Sequence, residues 1–227
     1  MNIEKYDEIR ASLPAGVRLV AVSKFKPAED IAALYQHGQR VFGENHAQEM
    51  KAKHEVLPQD IEWHFIGHLQ TNKVKYLAPY VALIHSMDSP RLFEEIAKQG
   101  LRCGRNIPCL VQLHVAQEET KFGFLPDEAL DFLHDVAPRL SGDCGVSLRG
   151  IMAMASNTDD TSRIRRDFRL AHDTFLQART ILQESAPAAA SLFTECSMGM
   201  SDDWPIAVEE GATLIRIGSS IFGPRQY

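Results

Sequence analysis

Cysteine is scarce in this sequence. Four residues in 227 (Cys103, Cys109, Cys144 and Cys196) are irregularly spaced, with no CxxC pair and no Cys/His grouping of zinc type. A domain this large needs no disulfide staples, so reduced thiols are expected. No run approaches the roughly 20 apolar residues that cross a bilayer, and the most apolar stretches, such as Ile107–Val115, are strand-length. The opening MNIEKYDEIR alternates charged with apolar residues and has no apolar centre like that of a signal peptide. A cytoplasmic protein without a membrane partner is the expectation. Blocks of like charge are also missing: 24 basic and 30 acidic side chains leave a net charge of −6, which argues against a nucleic-acid partner. No GxGxxG turn follows the first apolar run, and Gly218 to Gly223 is not a Walker loop, since Pro224 stands where lysine is required. No linker, repeat or low-complexity tract divides the chain, so residues 1–227 are expected to form one domain that binds small molecules.

What is present is a regular alternation. Apolar residues at 44% and charged residues at 24% are globular values. Residues 2–12 pattern as a short amphipathic helix ended by Pro14 and Gly16, so residues 1–16 read as a helix and lead-in. Strand candidates then follow at Arg18–Ser23, Val41–Glu44, Trp63–Gly67, Ala82–Ser86, Pro108–Val115, Leu148–Met154, Ser191–Thr194 and Thr213–Gly218. Between them fall helix candidates at 27–38, from Ala47, from Thr71, at Ser89–Gln99, from Pro126 to Val136, at Asp159–Gln183 and near Asp203–Glu209, while SAPAAAS at 185–191 reads as a loop. Strands apolar through their middles belong to a parallel sheet covered on both faces. Eight β/α units predict a single (β/α)8 TIM-type barrel with an extra N-terminal helix, in preference to an open doubly wound sheet.

Barrels of this type carry their chemistry at the C-terminal ends of the strands. Lys24 ends the first: partial burial and the neighbouring Lys26 would favour a neutral, nucleophilic amine, although a strand-end lysine can also simply reach solvent. Arg216 interrupts the apolar run TLIRIG, and a buried unpaired guanidinium costs several kcal/mol, on the order of a domain's whole stability. It needs an acceptor, either a structural carboxylate such as Glu44 or Glu195, or a ligand. Ser197 in SMGMS and Gly218-Ser219-Ser220 supply small residues at the last two turns, where barrels often bind phosphate. The same residues also suit ordinary capping. His64 and His68 are spaced HxxxH, but Gly67 intervenes and no third ligand is evident, so no metal is expected. The methionines Met152, Met154, Met198 and Met200 read as packing at the barrel top.

The segments VAVSKFKP, FGENHAQE, WHFIGHLQTNK, IHSMDS, LRGIMAM, SMGMSDD and GATLIRIGSSIFG resemble, in order and over essentially the whole chain, the pyridoxal phosphate homeostasis protein family. That family is in turn similar to the barrel domain of alanine racemase. The resemblance implies a barrel holding pyridoxal 5′-phosphate as an imine on Lys24, with Asn45 and His64 near the ring and Arg216 facing the pyridine nitrogen. Ser197, Met198, Gly218 and Ser219 would line the phosphate site. It implies a monomer that binds pyridoxal phosphate and related B6 vitamers, with pyridoxal-phosphate-dependent apo-enzymes as candidate recipients. The sequence departs from the family wording at QLHVAQEETKFGF, which keeps Lys-x-Gly-Phe but varies before it, at MAMAS and at Cys196. Two features favour a holder over an enzyme of the racemase type. Arginine cannot take the proton that a carboxylate partner keeps on the pyridine nitrogen, which leaves the ring a weaker electron sink. The sequence also ends at Tyr227, leaving no residues for the racemase's additional β-domain. A pyridoxal-phosphate-dependent racemase-like enzyme is the alternative, and a Schiff-base aldolase acting on sugar phosphates is a third reading.

Overall fold

A computed structural model describes residues 1–117 and 122–223. Lys121 of the Lys-x-Gly-Phe turn and Pro224 lie outside the described residues. Eight parallel strands close on themselves in sequence order: β1 Arg18–Val22, β2 Val41–Glu44, β3 Glu62–Phe65, β4 Leu83–Met87, β5 Ile107–Gln112, β6 Val146–Met152, β7 Glu195–Ser197 and β8 Leu214–Ile217. β8 returns to β1 with Arg18 opposite Leu214 and Val20 opposite Arg216. This is the expected (β/α)8 barrel.

The helices are α1 Ile3–Ser12, α2 Ala28–Gln36, α3 Ala47–Val56, α4 Val74–Leu77, α5 Pro90–Arg102, α6 Pro126–Val136, α7 Thr161–Ser185, α8 Pro187–Leu192, α9 Trp204–Glu209 and α10 Ser219–Phe222. Their starts follow from local chemistry. Ser89 Oγ accepts from Leu92 N at the head of α5, Asp160 accepts from Ser162 N and Arg163 N at the head of α7, and Pro126 opens α6 at a position where its missing N–H is harmless. α10 has only four residues, and the extra N-terminal helix packs against it. Asn2 caps α1 through its side chain and donates its own N–H to Ile221 O at 2.6 Å, while Tyr6 and Ile9 are buried in the core.

Two apolar clusters result from strand alternation, in which residues two apart share a face. Val20, Val41, Leu83, Leu110, Met152 and Leu214 fill the barrel interior. The larger cluster lies between sheet and helices and includes Phe42, Trp63, Phe65, Ile84 and Ile215.

The structure corrects three expected boundaries. β7 is Glu195–Ser197 rather than Ser191–Thr194, and the supposed loop at 185–191 contains α8. Pro187 sits in the first turn of α8, where proline is tolerated, and a run of alanines follows it. α5 continues through Gly100 to Arg102 instead of stopping at Gln99. Gly100 is a packing residue: a Cβ there would stand 2.0 Å from Gly145 O. In an exposed helix Gly→Ala gains about 1 kcal/mol. Gly100→Ala is expected to reverse that sign and lower stability by ~2 kcal/mol or more in a denaturant titration. A stabilised variant would contradict this packing.

Candidate functional site

The interior face leads to the barrel mouth. Leu214 lies in the interior cluster, and Arg216, two residues on, shares its face; the next interior position is Gly218. On β2 the same parity runs from Val41 through Gly43 to Asn45. On β1 it runs from Val20 through Val22 to Lys24, in the turn just beyond the strand. His64 stands opposite both Gly43 and Leu83, and His85 follows Leu83 by two.

Arg216 is 5% exposed, and among the described residues its hydrogen bonds go to neutral acceptors. Its Nη1 donates to Ser197 Oγ at 2.5 Å and its Nη2 to Ala153 O at 3.0 Å. Neither expected carboxylate reaches it. Glu195 pairs with Arg18 at 2.7 Å, at the opposite end of the barrel, and Glu44 faces outward against α3. Among the described residues Arg216 forms no ion pair. Burial holds its guanidinium down to about 10, so it remains a cation at neutral pH. Two of its five N–H groups are used in these bonds.

From Arg216 a directed chain of hydrogen bonds crosses the interior. Ser197 Oγ lies 3.0 Å from His85 Nδ1, and His85 Nε2 lies 2.9 Å from His64 Nδ1. Burial pushes the His64 imidazole down to about 3 and His85 well below its usual range, with the Arg216 cation acting in the same direction on His85. Both rings are therefore neutral. A guanidinium only donates, so Ser197 accepts from it, and its own hydroxyl hydrogen is free to donate to His85 Nδ1 in the tautomer that leaves that nitrogen bare. His85 then carries its hydrogen on Nε2, donates to His64 Nδ1, and leaves the His64 hydrogen on Nε2.

The remaining expected residues divide by position. Lys24, Asn45, Gly218 and Ser219 lie at the mouth, while His64 and Ser197 sit below it. The Ser197 hydroxyl is turned into the interior between Arg216 and His85, so it does not point at the β8 turn. Met198 is fully buried in the outer core, and its N–H donates to Leu214 O. The β8 turn instead offers Ser219 Oγ, 3.0 Å from Ser201 Oγ, and the backbone of 218–220 ahead of the first α10 bonds, which run from Ile221 N and Phe222 N to Gly218 O. Gly218 has no room for a side chain, since a Cβ would come within 2.9 Å of Val22 O. Asn45 Oδ1 is buried without a hydrogen-bond partner. Beside Asn45 opens a recess of about 250 Å³ also lined by His46, His68, Gln70 and Lys73. His68 is separate from His64: it reaches Asp88 Oδ2 at 3.1 Å and stacks on Phe122 with centroids 3.9 Å apart.

Behind Lys24, on the outer face of the sheet, lies a buried ionic cluster not anticipated from the sequence. Lys53 Nζ donates to Glu44 Oε1 at 2.7 Å, Glu49 Oε1 at 2.7 Å and Ser23 O at 2.8 Å. Burial raises the Glu44 carboxyl to about 7 against the opposing pull of Lys53 and Ser23. The i,i+4 spacing of Glu49 and Lys53 on α3 was the available signal. His85 reads from the sequence as a residue at the end of the fourth strand candidate, but its pairing with His64 and Ser197 has no local signal.

These groups set a pH dependence. His64 and His85 take up protons near 6.5 when unfolded and resist them when folded, so each withdraws stability as pH falls below 6.5. The raised Glu44 works the other way between about 7 and 4.5, where the folded state binds its proton first. Urea unfolding between pH 6 and pH 4.5 is expected to lose stability less steeply in His85→Gln than in the wild type, by ~1.4 kcal/mol per pH unit. Equal slopes would contradict a buried neutral His85.

Comparison with known proteins agrees with this architecture. The chain matches the alanine racemase N-terminal domain family over residues 3–226. It is 37% identical over 216 residues to the pyridoxal phosphate homeostasis protein of Pasteurella multocida, covering 94% of this chain and 88% of that protein. It is 40% identical over 211 residues to the pyridoxal phosphate homeostasis protein of Aquifex aeolicus, covering 92% and 88%. Among solved structures, PipY of Synechococcus elongatus with pyridoxal phosphate bound superposes with a TM-score of 0.82 at 37% identity, covering 97% of this chain and 99% of that one. With a closed parallel barrel and matches of this length, the chain belongs to the pyridoxal phosphate homeostasis protein family.

Proposed function

We propose that residues 1–227 form a single domain that binds pyridoxal 5′-phosphate at the barrel mouth, anchors it covalently on Lys24 and serves vitamin B6 homeostasis. The observation that carries this reading is Arg216, a buried cation that forms no ion pair among the described residues, feels the Asp203 charge only at a distance and keeps N–H groups in reserve beneath the mouth. The donor set fits the ligand. Asn45 Oδ1 is an orphan at the mouth, and Gly218 leaves a close approach to the backbone beside the hydroxyls of Ser219 and Ser201.

When bound, pyridoxal phosphate supplies an aldehyde that condenses with a primary amine, and a pyridine ring that withdraws electrons strongly only when its nitrogen is protonated. Lys24 Nζ is the amine, and another amine can displace it without net hydrolysis. Arg216 donates to the ring nitrogen, while Ser197 and Ala153 hold the guanidinium in place from below. Asn45 makes a polar contact beside the ring, with His64 one layer beneath. Gly218 and Ser219 receive the phosphate; Ser197 contributes through Arg216, and Met198 by supporting the turn from the core. A donor-only partner cannot hold a proton on the ring nitrogen, so the site favours storage and exchange of the aldehyde with amines, including those of apo-enzymes in the cytoplasm, over carbanion chemistry.

Lys24→Ala is expected to abolish both the visible absorption band and the borohydride-stable mass adduct formed with pyridoxal phosphate. Full-stoichiometry adduct in that variant would move the anchor elsewhere. Exchange of the α-hydrogen in deuterated water, run across the common amino acids, separates this reading from a racemase. Rates far below the ~10 s⁻¹ typical of enzymes are expected, and turnover near that value would overturn the holder.

A further inference from the structure

We propose that Lys53, acting with Glu49, is a positioning residue that fixes the turn carrying Lys24; this rests on Lys24 being the covalent anchor. Lys24 lies between Ser23 and Phe25, and both neighbours are tied to the same buried ammonium. Ser23 gives its carbonyl to Lys53 Nζ and its hydroxyl to Glu44 Oε1, the oxygen that Lys53 also holds. Phe25 donates its N–H at 2.7 Å to Glu49 Oε1, again an oxygen bonded to Lys53. The three N–H groups of the ammonium are thus divided among the carbonyl before Lys24, the carboxylate that fixes the Ser23 side chain and the carboxylate that fixes the amide after Lys24.

The backbone shows why such a clamp is needed. Phe25 has φ +61°, the only positive value at a non-glycine among the described residues. L-residues keep that conformation only where the surroundings impose it, and such residues cluster at functional sites. The Lys26 N–H closes the turn on Ser23 O at 3.0 Å, and the Glu49 bond to Phe25 N adds a side-chain constraint within one residue of Lys24. Lys53 approaches from α3, on the outer face of the sheet, whereas the interior parity of β1 carries Lys24 toward the mouth. The cluster therefore lies outside the pocket and acts on the anchor through backbone geometry, without touching the ligand.

An ordinary ion cluster that merely docks α3 would affect folding and leave covalent capture alone, which makes the two readings separable. The probes are pyridoxal phosphate and pyridoxine 5′-phosphate, which has the ring and phosphate but no aldehyde. Glu49→Ala frees Phe25 N at a side chain 22% exposed and is the mild variant; Lys53→Met removes the clamp while keeping the stem. In Glu49→Ala, pyridoxine 5′-phosphate affinity is expected to stay within about twofold of wild type while the rate of adduct formation falls about tenfold or more. Glu49→Gln, whose amide oxygen still accepts from Phe25 N, is expected to recover most of that rate. Lys53→Met, where it folds, is expected to behave as Glu49→Ala or worse. An unchanged capture rate in folded Glu49→Ala, or a Gln variant as slow as the Ala variant, overturns the positioning role. A wild-type protein that forms no adduct overturns the anchor itself, and with it this inference.

Discussion

Closure of the sheet is the constraint on which everything else depends. Once β8 pairs with β1, with Val20 opposite Arg216, each strand has one face turned into a narrow interior. The interior must then be filled by whatever alternate positions supply. At mid-height they supply Val20, Val41, Leu83, Leu110, Met152 and Leu214. Among and above them the same face supplies Arg216, Ser197, His85 and His64, a polar chain that packs against the apolar plug beneath the mouth. A guanidinium in such a place is tolerable only with its acceptors built in, and Ser197 Oγ and Ala153 O are those acceptors.

Two supports of different kind thus converge on one place. The polar chain holds Arg216 from inside the barrel, and the Lys53 cluster holds the turn around Lys24 from outside it. Between them they define where a ligand's two reactive ends would be met: an amine on one wall and a fixed hydrogen-bond donor below. The separation of roles is physical. The interior chain runs through neutral histidines, whereas the outer cluster is ionic and buried under α3, so substitution on one side need not disturb the other.

Much of this was legible in the residues. The β/α alternation, the barrel and the short N-terminal helix follow from strands without polar alternation separated by amphipathic segments, and Arg216 stands out because it alone breaks TLIRIG. What escaped has identifiable causes. Alanine-rich α8 was hidden by the turn-forming reputation of Ser and Pro, although Pro187 sits where a helix accepts it. Gly100 looked like a terminator because its tight contact with Gly145 is made across the fold and leaves no local trace. Glu44 was a plausible partner for Arg216 until parity placed it on the opposite face of β2. Side-chain direction is equally hidden in SMGMS: strand alternation turns the Ser197 hydroxyl inward and the Met198 side chain into the outer core. Lys53 could not be distinguished from any other i,i+4 helix pair without the turn it reaches.

The central claim is that the mouth of this barrel holds pyridoxal phosphate with its aldehyde carbon on Lys24 and its ring nitrogen facing Arg216. A crystal structure of the protein grown with pyridoxal phosphate tests it most directly. The account predicts continuous density from Lys24 Nζ into the ring, and an Arg216 N–H within hydrogen-bonding distance of the pyridine nitrogen. Density attached elsewhere, or a carboxylate facing that nitrogen, would contradict it.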